Sequence, residues 1–235
     1  MSRVPSPLDV DAARARLTAA CTQLGVVADA GAIDKLLGYL EQLQRWNRTY
    51  NLTAIRDPQQ MLVQHLFDSL AAVGPFASML AREAALRARI YDIGAGAGLP
   101  GAVLAIMRPD WDVACVDAVE KKMAFVRQVS GVLQLPNLAA IHARVEQLDP
   151  AHADIVTSRA FASLLDFATL AGRHVRSGGT LVALKGKVPD DEIEQLHAAG
   201  QWQVDRIEPL AVPELDAQRC LIWMRRNAGD SQGNP

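Results

Sequence analysis

The chain has 235 residues, of which 50% are hydrophobic, and its formal net charge is −2 at pH 7. This length suits one large domain, or one domain with a smaller extension. No segment approaches the roughly 18 consecutive apolar residues that span a membrane, and the N-terminus lacks the apolar core of a secretory signal. The mildly acidic balance does not by itself indicate a nucleic-acid partner. We expect a cytoplasmic protein with no membrane partner.

Cysteine and histidine are too scattered to predict a metal site. Cys21, Cys115 and Cys220 lie far apart, and no pair has redox or zinc-ligand spacing. The five histidines include no i,i+4 pair that could chelate a metal. We therefore expect no metal and no disulfide.

The first part of the chain has a helical pattern. Apolar side chains recur every three or four residues over 9–24 and again over 33–46. Residues 47–53 contain turn formers and predict a loop, and the Asp-Pro pair at 57–58 predicts the start of another helix. Residues 1–75 are thus expected to form an N-terminal helical segment packed on the domain that follows.

From about residue 88, short apolar runs alternate with helical stretches. The predicted strands are 89–93, 112–117, 138–142, 154–158 and 180–184, and the predicted helices are 100–107, 121–133, a short one near 145–148, and 164–174. Such alternation predicts an α/β fold with a mostly parallel, doubly wound sheet. The last two runs, 203–210 and 219–226, have no helix between them and predict an antiparallel hairpin at one sheet edge. This domain is expected to span 76–226, followed by a disordered tail at 227–235.

The strongest motif is the glycine-rich turn after the first strand, Asp-Ile-Gly-Ala-Gly-Ala-Gly-Leu-Pro-Gly at 92–101. In open α/β sheets, ligands bind beyond the carboxyl ends of the strands, and glycine lets them approach the backbone. Gly96, Gly98 and Gly101 match the dinucleotide pattern G-x-G-x-x-G. Gly94, Gly96 and Gly98 instead match G-x-G-x-G, which begins two residues after an aspartate.

The position of Asp92 favours the second match. The first would leave its carboxylate inside the strand, where burial is costly, whereas the second places it at the strand tip, free to attract a cation. A dinucleotide carries a pyrophosphate, which suits a helix N-terminus without a carboxylate nearby. S-adenosylmethionine carries an ammonium and a sulfonium. We therefore predict a class I, Rossmann-like methyltransferase with S-adenosylmethionine as cofactor.

Two further positions fit a nucleoside. Asp117 ends the second strand and is predicted to accept hydrogen bonds from ribose hydroxyls, which suits either cofactor. After the third strand, Val145 is placed to lie against an adenine, with Glu146 or its backbone near the exocyclic amine.

Several stretches together resemble one known family. They are Trp-Asn-Arg-Thr-Tyr-Asn-Leu-Thr at 46–53, Arg-Asp-Pro at 56–58, His-Leu-Phe-Asp-Ser at 65–69, the turn at 92–101, Ser-Arg-Ala-Phe-Ala-Ser at 158–163 and Ala-Leu-Lys-Gly at 183–186. From about Leu36 to Arg226 the chain resembles the bacterial small-subunit ribosomal RNA guanine-N7 methyltransferases, the glucose-inhibited division protein B type. The glycine turn is general to methyltransferases, whereas the stretches at 46–53 and 158–163 are specific to this family.

The resemblance implies methyl transfer to N7 of one guanine in the decoding-region loop of 16S rRNA, with the rRNA or the small ribosomal subunit as partner. It puts cofactor positions at Gly94, Leu99, Val145, Glu146 and Arg159. The predicted cofactor-binding set is therefore Asp92, Gly94, Ala95, Gly96, Gly98, Leu99, Asp117, Val145, Glu146 and Arg159.

The residues at the end of the fourth strand, Thr157-Ser158-Arg159, include no carboxylate and no histidine. This suits guanine N7, which has a lone pair and no proton and so needs no general base. Arg159 is predicted to position the acceptor.

Basic and aromatic side chains near the strand ends are expected to bind RNA. The predicted set is Arg48, Tyr50, Arg56, Lys121, Lys122, Arg127, Phe161 and Lys185, with Tyr50 or Phe161 stacking on the flipped guanine. A methyltransferase acting on another RNA site or on a small molecule stays open as an alternative. A nicotinamide-dependent dehydrogenase would also need a Tyr-Lys pair or a catalytic histidine, which is not evident. We expect a monomer.

Overall fold

The computed structural model describes residues 9–81, 87–159, 161 and 163–227. The N-terminal helices are α1 (Val10–Gln23), α2 (Ala30–Tyr50), α3 (Pro58–Met61), a π-helical segment (Leu62–Phe67), α4 (Asp68–Leu70) and α5 (Val73–Leu80). Within these described ranges, no helix has both the length and the apolar character needed to cross a bilayer.

Helix α2 is longer than the sequence pattern predicts. The loop expected over 47–53 begins only at Asn51, whose left-handed backbone (φ 48°) ends the helix. Asn47 is polar but lies on the buried face of α2. Its side-chain oxygen accepts from the Thr53 amide at 2.9 Å, and its Nδ2 donates to the Ile55 carbonyl at 3.1 Å. The turn-forming residue at 47 thus anchors the following loop from inside the helix.

The described residues form a seven-stranded sheet in the order β3-β2-β1-β4-β5-β7-β6. Its strands are β1 (Arg89–Ile93), β2 (Asp112–Asp117), β3 (Leu138–His142), β4 (Ala153–Ser158), β5 (Val175–Lys185), β6 (Trp202–Pro209) and β7 (Cys220–Arg226). The first five run parallel, and β7 pairs antiparallel with both β5 and β6. The predicted α/β fold, with its parallel sheet and C-terminal antiparallel hairpin, is confirmed.

The helices between the strands are α6 (Gly101–Met107), α7 (Glu120–Val132), α8 (Leu164–Ala171) and α9 (Asp190–Ala198), with 3₁₀ turns at Val145–Gln147 and Gly172–His174. Helix α9 is absent from the sequence prediction. Only Leu196 of its nine residues is buried, so the helix has almost no apolar stripe to detect.

Each face of the sheet packs against its own helices. Helices α1, α2, α6 and α7 share one continuous core with the buried face of β1 and β2, so the N-terminal segment lies directly on the sheet domain. Helices α8 and α9 cover the other face over β4, β5 and β7. The chain direction across the sheet reverses between β1 and β4, and this is where open α/β sheets form a ligand crevice.

Candidate active site

The glycine turn after β1 has the backbone of a ligand-binding loop. Gly94, Gly96 and Gly98 have φ values of 67°, 59° and 82°, a region that side chains disfavour. A Cβ on Gly96 would meet no atom within 4 Å, whereas one on Gly98 would lie 3.0 Å from Val126 Cγ2. Gly96 therefore faces open space, and Gly98 packs on α7.

The amides of this turn are mostly paired within the protein. Those of Gly94 and Ala95 donate to the Val116 carbonyl, at 2.8 and 3.1 Å, and those of Gly98 and Leu99 donate to the Ala95 carbonyl, at 2.8 and 2.9 Å. A pyrophosphate is held by free amides at such a turn. Their internal pairing disfavours a dinucleotide and leaves an uncharged rim that accepts a cationic ligand.

Asp92 has a different place from the one the sequence argument gave it. It is not free at the strand tip: it lies within β1, its side chain is fully buried, and Oδ2 accepts from the Gly101 amide at 2.8 Å. The carboxylate thereby blocks the N-terminus of α6, a position that a pyrophosphate would need. Oδ1 has no hydrogen-bond partner among the described residues. Burial raises the pKa of Asp92 to about 7, although the Gly101 amide and Arg159 lower it.

Asp117 ends β2 and closes the turn from the other side. Its Oδ2 accepts from the Gly96 amide at 3.0 Å and lies 3.4 Å from Lys122 Nζ, while Oδ1 accepts from the Val119 amide at 2.9 Å. A carboxylate has about four lone-pair positions. Asp117 can therefore hold the turn and still accept from a ribose hydroxyl.

An open pocket of about 270 Å³ lies beside the turn. Its lining is Ile93, Gly94, Val116, Asp117, Ala118, Ala143, Arg144, Val145, Glu146, Phe161 and Leu170. Val145 is buried and Glu146 is exposed at the rim, which suits a nucleoside with an apolar ring and polar edges. Phe161, predicted to stack on RNA, belongs to this pocket and packs on Phe167 with ring centroids 5.1 Å apart.

A second pocket, of about 340 Å³, lies over β4, β5 and β7. Its lining is Gln64, His65, Asp68, Arg159, Leu184, Lys185, Gly186, Leu210, Arg219 and Cys220. Residues 157–159 contain no carboxylate and no histidine, but the pocket that Arg159 lines contains both. The π-helical segment and α4 bring His65 and Asp68 to it, from about 90 residues before Arg159.

Asp68 is buried, with 5% exposure, and binds two arginines. Its Oδ2 lies 3.2 Å from Arg159 Nη1, and its Oδ1 lies 2.8 Å from Arg219 Nε. Each oxygen of this carboxylate is therefore paired with a guanidinium.

His65 is also unsuited to act as a base. Its Nε2 lies 3.0 Å from Thr53 Oγ1, which ties the pocket to the loop after α2. Burial, assisted by the charge of Arg159, lowers the pKa of His65 to about 4. The imidazole is neutral at pH 7, and its low basicity suits an acceptor that loses no proton.

Comparison with known proteins identifies the family. The GidB family, described as rRNA small subunit methyltransferase G, matches residues 32–222. The chain belongs to this family. It is 69% identical to a protein named ribosomal RNA small subunit methyltransferase G from Bordetella petrii, over 91% of this chain and 83% of that one. It is 68% identical to the protein of the same name from Bordetella pertussis, over 92% and 94% of the two chains.

A solved structure shares the fold. A SAM-dependent methyltransferase from Leishmania major superposes with a TM-score of 0.57 at 13% identity, covering 80% of this chain and 83% of that one. The resemblance to the GidB family and the prediction of a methyltransferase are confirmed.

Most side chains predicted to bind RNA are already engaged. Lys185 Nζ lies 2.8 Å from Glu192 Oε2, Lys122 pairs with Asp117, and Arg127 pairs with Glu120. Arg56 Nη2 donates to Asn51 Oδ1 at 3.1 Å.

Two of the predicted cations are left open to a ligand. Arg48 and Lys121 are exposed and make no ion pair with another residue in the part of the chain that the structure describes. Tyr50 is 44% exposed, and its ring packs on Trp46 with centroids 5.1 Å apart.

Four residues of the site were missed by sequence reasoning, and His65, in the stretch 65–69, is one of them. Asp68 lies in a stretch that carried the resemblance but had no assigned role. Arg219 lies just before the last strand and gave no signal of its own. Tyr39 was not singled out in the sequence, yet its hydroxyl donates to the Ala97 carbonyl of the glycine turn.

Proposed function

We propose that this chain transfers a methyl group from S-adenosylmethionine to N7 of one guanine in the decoding-region loop of 16S rRNA. One observation carries the proposal: the second pocket, which Arg159 lines, contains a carboxylate whose two oxygens are bound by arginines and a histidine held neutral. Such a pocket suits a nucleophile that has a lone pair and no proton. The family and the names of the relatives support small-subunit rRNA as the substrate.

The residues around the glycine turn fit the cofactor. Gly96 leaves open space through which a ligand can approach the backbone, and Asp117 can accept a hydrogen bond from the ribose. Val145 and Glu146 line the part of the pocket that suits the adenine. S-adenosylmethionine, when bound, supplies a methyl group whose C–S bonding pair stays on sulfur as the N7 lone pair forms the new bond. Gly94, Ala95, Gly98 and Leu99 line or shape the turn, and Asp92 fixes its geometry from beneath through Gly101.

The residues of the second pocket orient the acceptor. Arg159 lies at the end of β4, in contact with Asp68, so it is held between the cofactor turn and the second pocket. Because no proton moves, catalysis by these side chains is positioning. A misplacement of Arg159 would therefore lower the rate without abolishing RNA binding.

We propose that exposed cations at the rim bind the RNA. Arg48 and Lys121 are the most accessible of them, whereas Arg56, Lys122 and Arg127 also contact side chains of this chain. The net charge of −2 leaves this local face to supply the phosphate contacts. We propose that the enzyme acts as a monomer in the cytoplasm. We also propose that residues 1–75 are an N-terminal segment of the same folding unit as residues 76–226.

Two measurements test the function. Calorimetry with S-adenosylmethionine, its demethylated product and NAD should show binding of the first two only. Treated 16S rRNA should then be cleaved by borohydride and aniline at one new site, because N7-methylguanine carries a fixed charge that makes its imidazole ring labile to reduction. Arg159→Ala should remove this cleavage while most RNA affinity survives. Methyl label in RNA without a cleavable site would contradict the N7 assignment.

A further inference from the structure

We propose that the pocket around Asp68 selects guanine over adenine through the group at position 6 of the purine, and that Asp68 is a positioning residue that directs Arg159 and Arg219 at this group. The inference rests on the proposed function and deepens it.

Methylation at N7 poses a selection problem. Guanine and adenine both present N7 as an acceptor on the same edge, so N7 itself does not distinguish them. They differ beside it: guanine has the O6 acceptor and adenine has the N6 amino donor. An enzyme that methylates only guanine at N7 must therefore read another atom, and position 6 is the nearest.

The charged groups of the pocket offer donors. A guanidinium has five N–H donors and no acceptor. Arg219 uses Nε for Asp68 and Nη1 for the Gln218 carbonyl, at 2.8 Å each, while Arg159 uses Nη1 for Asp68 and, at 3.5 Å, the Gln64 carbonyl. Within the described residues, the Nη2 group of each arginine makes no hydrogen bond, so both remain for a ligand oxygen.

The carboxylate oxygens among these groups are each paired with a cation. Both oxygens of Asp68 accept from arginine, and both oxygens of Glu192 accept from Lys185, at 2.8 and 3.1 Å. His65 Nε2 is held by Thr53. An adenine amino group placed here would face N–H donors and lose its own hydrogen bonds, whereas guanine O6 would gain them.

Asp68 also sets the charge of the pocket. Two guanidinium charges and one carboxylate leave one net positive charge, since Lys185 and Glu192 cancel. Without Asp68 the two arginines would repel each other and the cationic product. The Asp68 carboxylate therefore keeps the guanidinium groups of Arg159 and Arg219 close together and lowers the net charge of the pocket.

The first test uses the wild-type enzyme and RNA hairpins of the decoding-region loop in which the target guanine is replaced. Inosine keeps O6 and lacks the 2-amino group, whereas 2-aminopurine keeps the 2-amino group and lacks O6. We expect inosine to be methylated within about threefold of guanine, and 2-aminopurine and adenine at least about tenfold more slowly, as for loss of one good base contact. Equal rates for 2-aminopurine and guanine, or no methylation of inosine, would overturn the inference.

The second test uses variants and reports a ratio that a purely structural role would not change. In Arg219→Gln, whose amide can both donate and accept, the guanine to 2-aminopurine rate ratio should fall severalfold. In Asp68→Asn the same ratio should fall, the rate on guanine should drop by about tenfold or more, and the S-adenosylmethionine Kd should stay within about twofold. An Asp68→Asn enzyme that melts earlier but keeps the wild-type ratio would show Asp68 to be structural only.

The outcomes also separate this inference from the proposed function. Cleavable N7 methylation that is indifferent to position 6 contradicts the selection mechanism and leaves the function intact. Methyl label at another atom, with no borohydride-sensitive site, contradicts both.

Discussion

The hydroxyl of Tyr39 in α2 donates to the carbonyl of Ala97 in the glycine turn, at 2.8 Å. Tyr39 is fully buried and packs edge-on against Phe125 of α7, with ring centroids 5.9 Å apart. Ala97 lies between Gly96 and Gly98, two residues with little backbone restraint of their own. Helix α2 of the N-terminal segment thus fixes the conformation of the glycine turn through the hydrogen bond from Tyr39 to Ala97.

Tyr39→Phe should weaken S-adenosylmethionine binding. The variant keeps the ring and leaves the Ala97 carbonyl without its partner, so we expect a loss of about 1–2 kcal/mol in binding free energy. Calorimetry measures the effect. Tyr91→Phe is the matched control, because the Tyr91 ring stacks on His174 and its hydroxyl makes no hydrogen bond to the turn in the described part of the chain, so the variant should leave the cofactor Kd unchanged. Equal cofactor affinity in wild type and Tyr39→Phe would show that the turn keeps its shape unaided.

Gly96→Val should abolish cofactor binding while RNA affinity survives. A side chain at Gly96 would project into open space where the ligand approaches, and its positive φ adds strain. Gly200→Val is the control for strain, because Gly200 also has a positive φ and no atom within 4 Å of a built Cβ, but lies in the turn after α9. Both variants should lose similar stability in urea, and only Gly96→Val should lose the cofactor. If Gly96→Val still bound S-adenosylmethionine, the cofactor would have to bind at a place other than this turn.

Because of Asp92, the free energy of unfolding of the wild-type protein should fall as pH rises. Its pKa is raised from 3.8 to about 7 by burial, so between these values the folded state holds a proton that the unfolded chain releases. The associated stabilisation is complete below about pH 4 and is lost as pH rises through about 7. Asp92→Asn cannot lose this proton. The free energy of unfolding of Asp92→Asn, minus that of wild type, should therefore increase between pH 5 and pH 8, by about 2–4 kcal/mol.

Urea unfolding at the two pH values measures this difference. Asp190→Asn, at an exposed position at the start of α9, is the matched control and should show no such growth. A constant difference between Asp92→Asn and wild type would mean that Asp92 is ionised in both states throughout.

Arg48→Gln and Lys121→Gln should each weaken RNA binding and reduce the slope of log affinity against log salt by about one. Both cations are exposed, so their loss removes a phosphate contact at little cost to the fold. Lys185→Gln should change the slope much less, because the ammonium of Lys185 is held by Glu192. Arg173→Gln is the control, because Arg173 is exposed and lies just before the start of β5, at the amino ends of the parallel strands and away from the predicted ligand side. An unchanged slope in Arg48→Gln and Lys121→Gln would place the RNA on another face.

The parts of the fold that follow local rules were predictable from the sequence. Strands β1, β2 and β3 have the predicted bounds because each is a short apolar run between polar turns. The end of α2 was not predictable, because Asn47 turns inward and serves the loop after the helix. A single sequence position does not reveal which way a polar side chain faces.

The candidate site was also predictable only where its residues follow from local sequence order. That the glycine turn, Asp117 and Val145 lie around one pocket was predictable, because each follows or ends a strand of the parallel sheet. The role of Asp92 was misjudged, since the cost of burying a carboxylate is offset here by the Gly101 amide and by a raised pKa. Asp68 and Arg219 were missed because their contact joins residues 151 positions apart.

That distance along the chain has a consequence for biosynthesis. Asp68 is made early, and Arg219 leaves the ribosome only with the last strand of the sheet. A nascent chain that has reached β5 already contains the glycine turn, Asp117 and Val145, but its acceptor pocket lacks one of the two arginines. The proposed acceptor pocket is therefore complete only when translation of the chain is nearly finished, and termination before Arg219 yields a chain that has the predicted cofactor-binding residues but lacks one of the two arginines that contact Asp68.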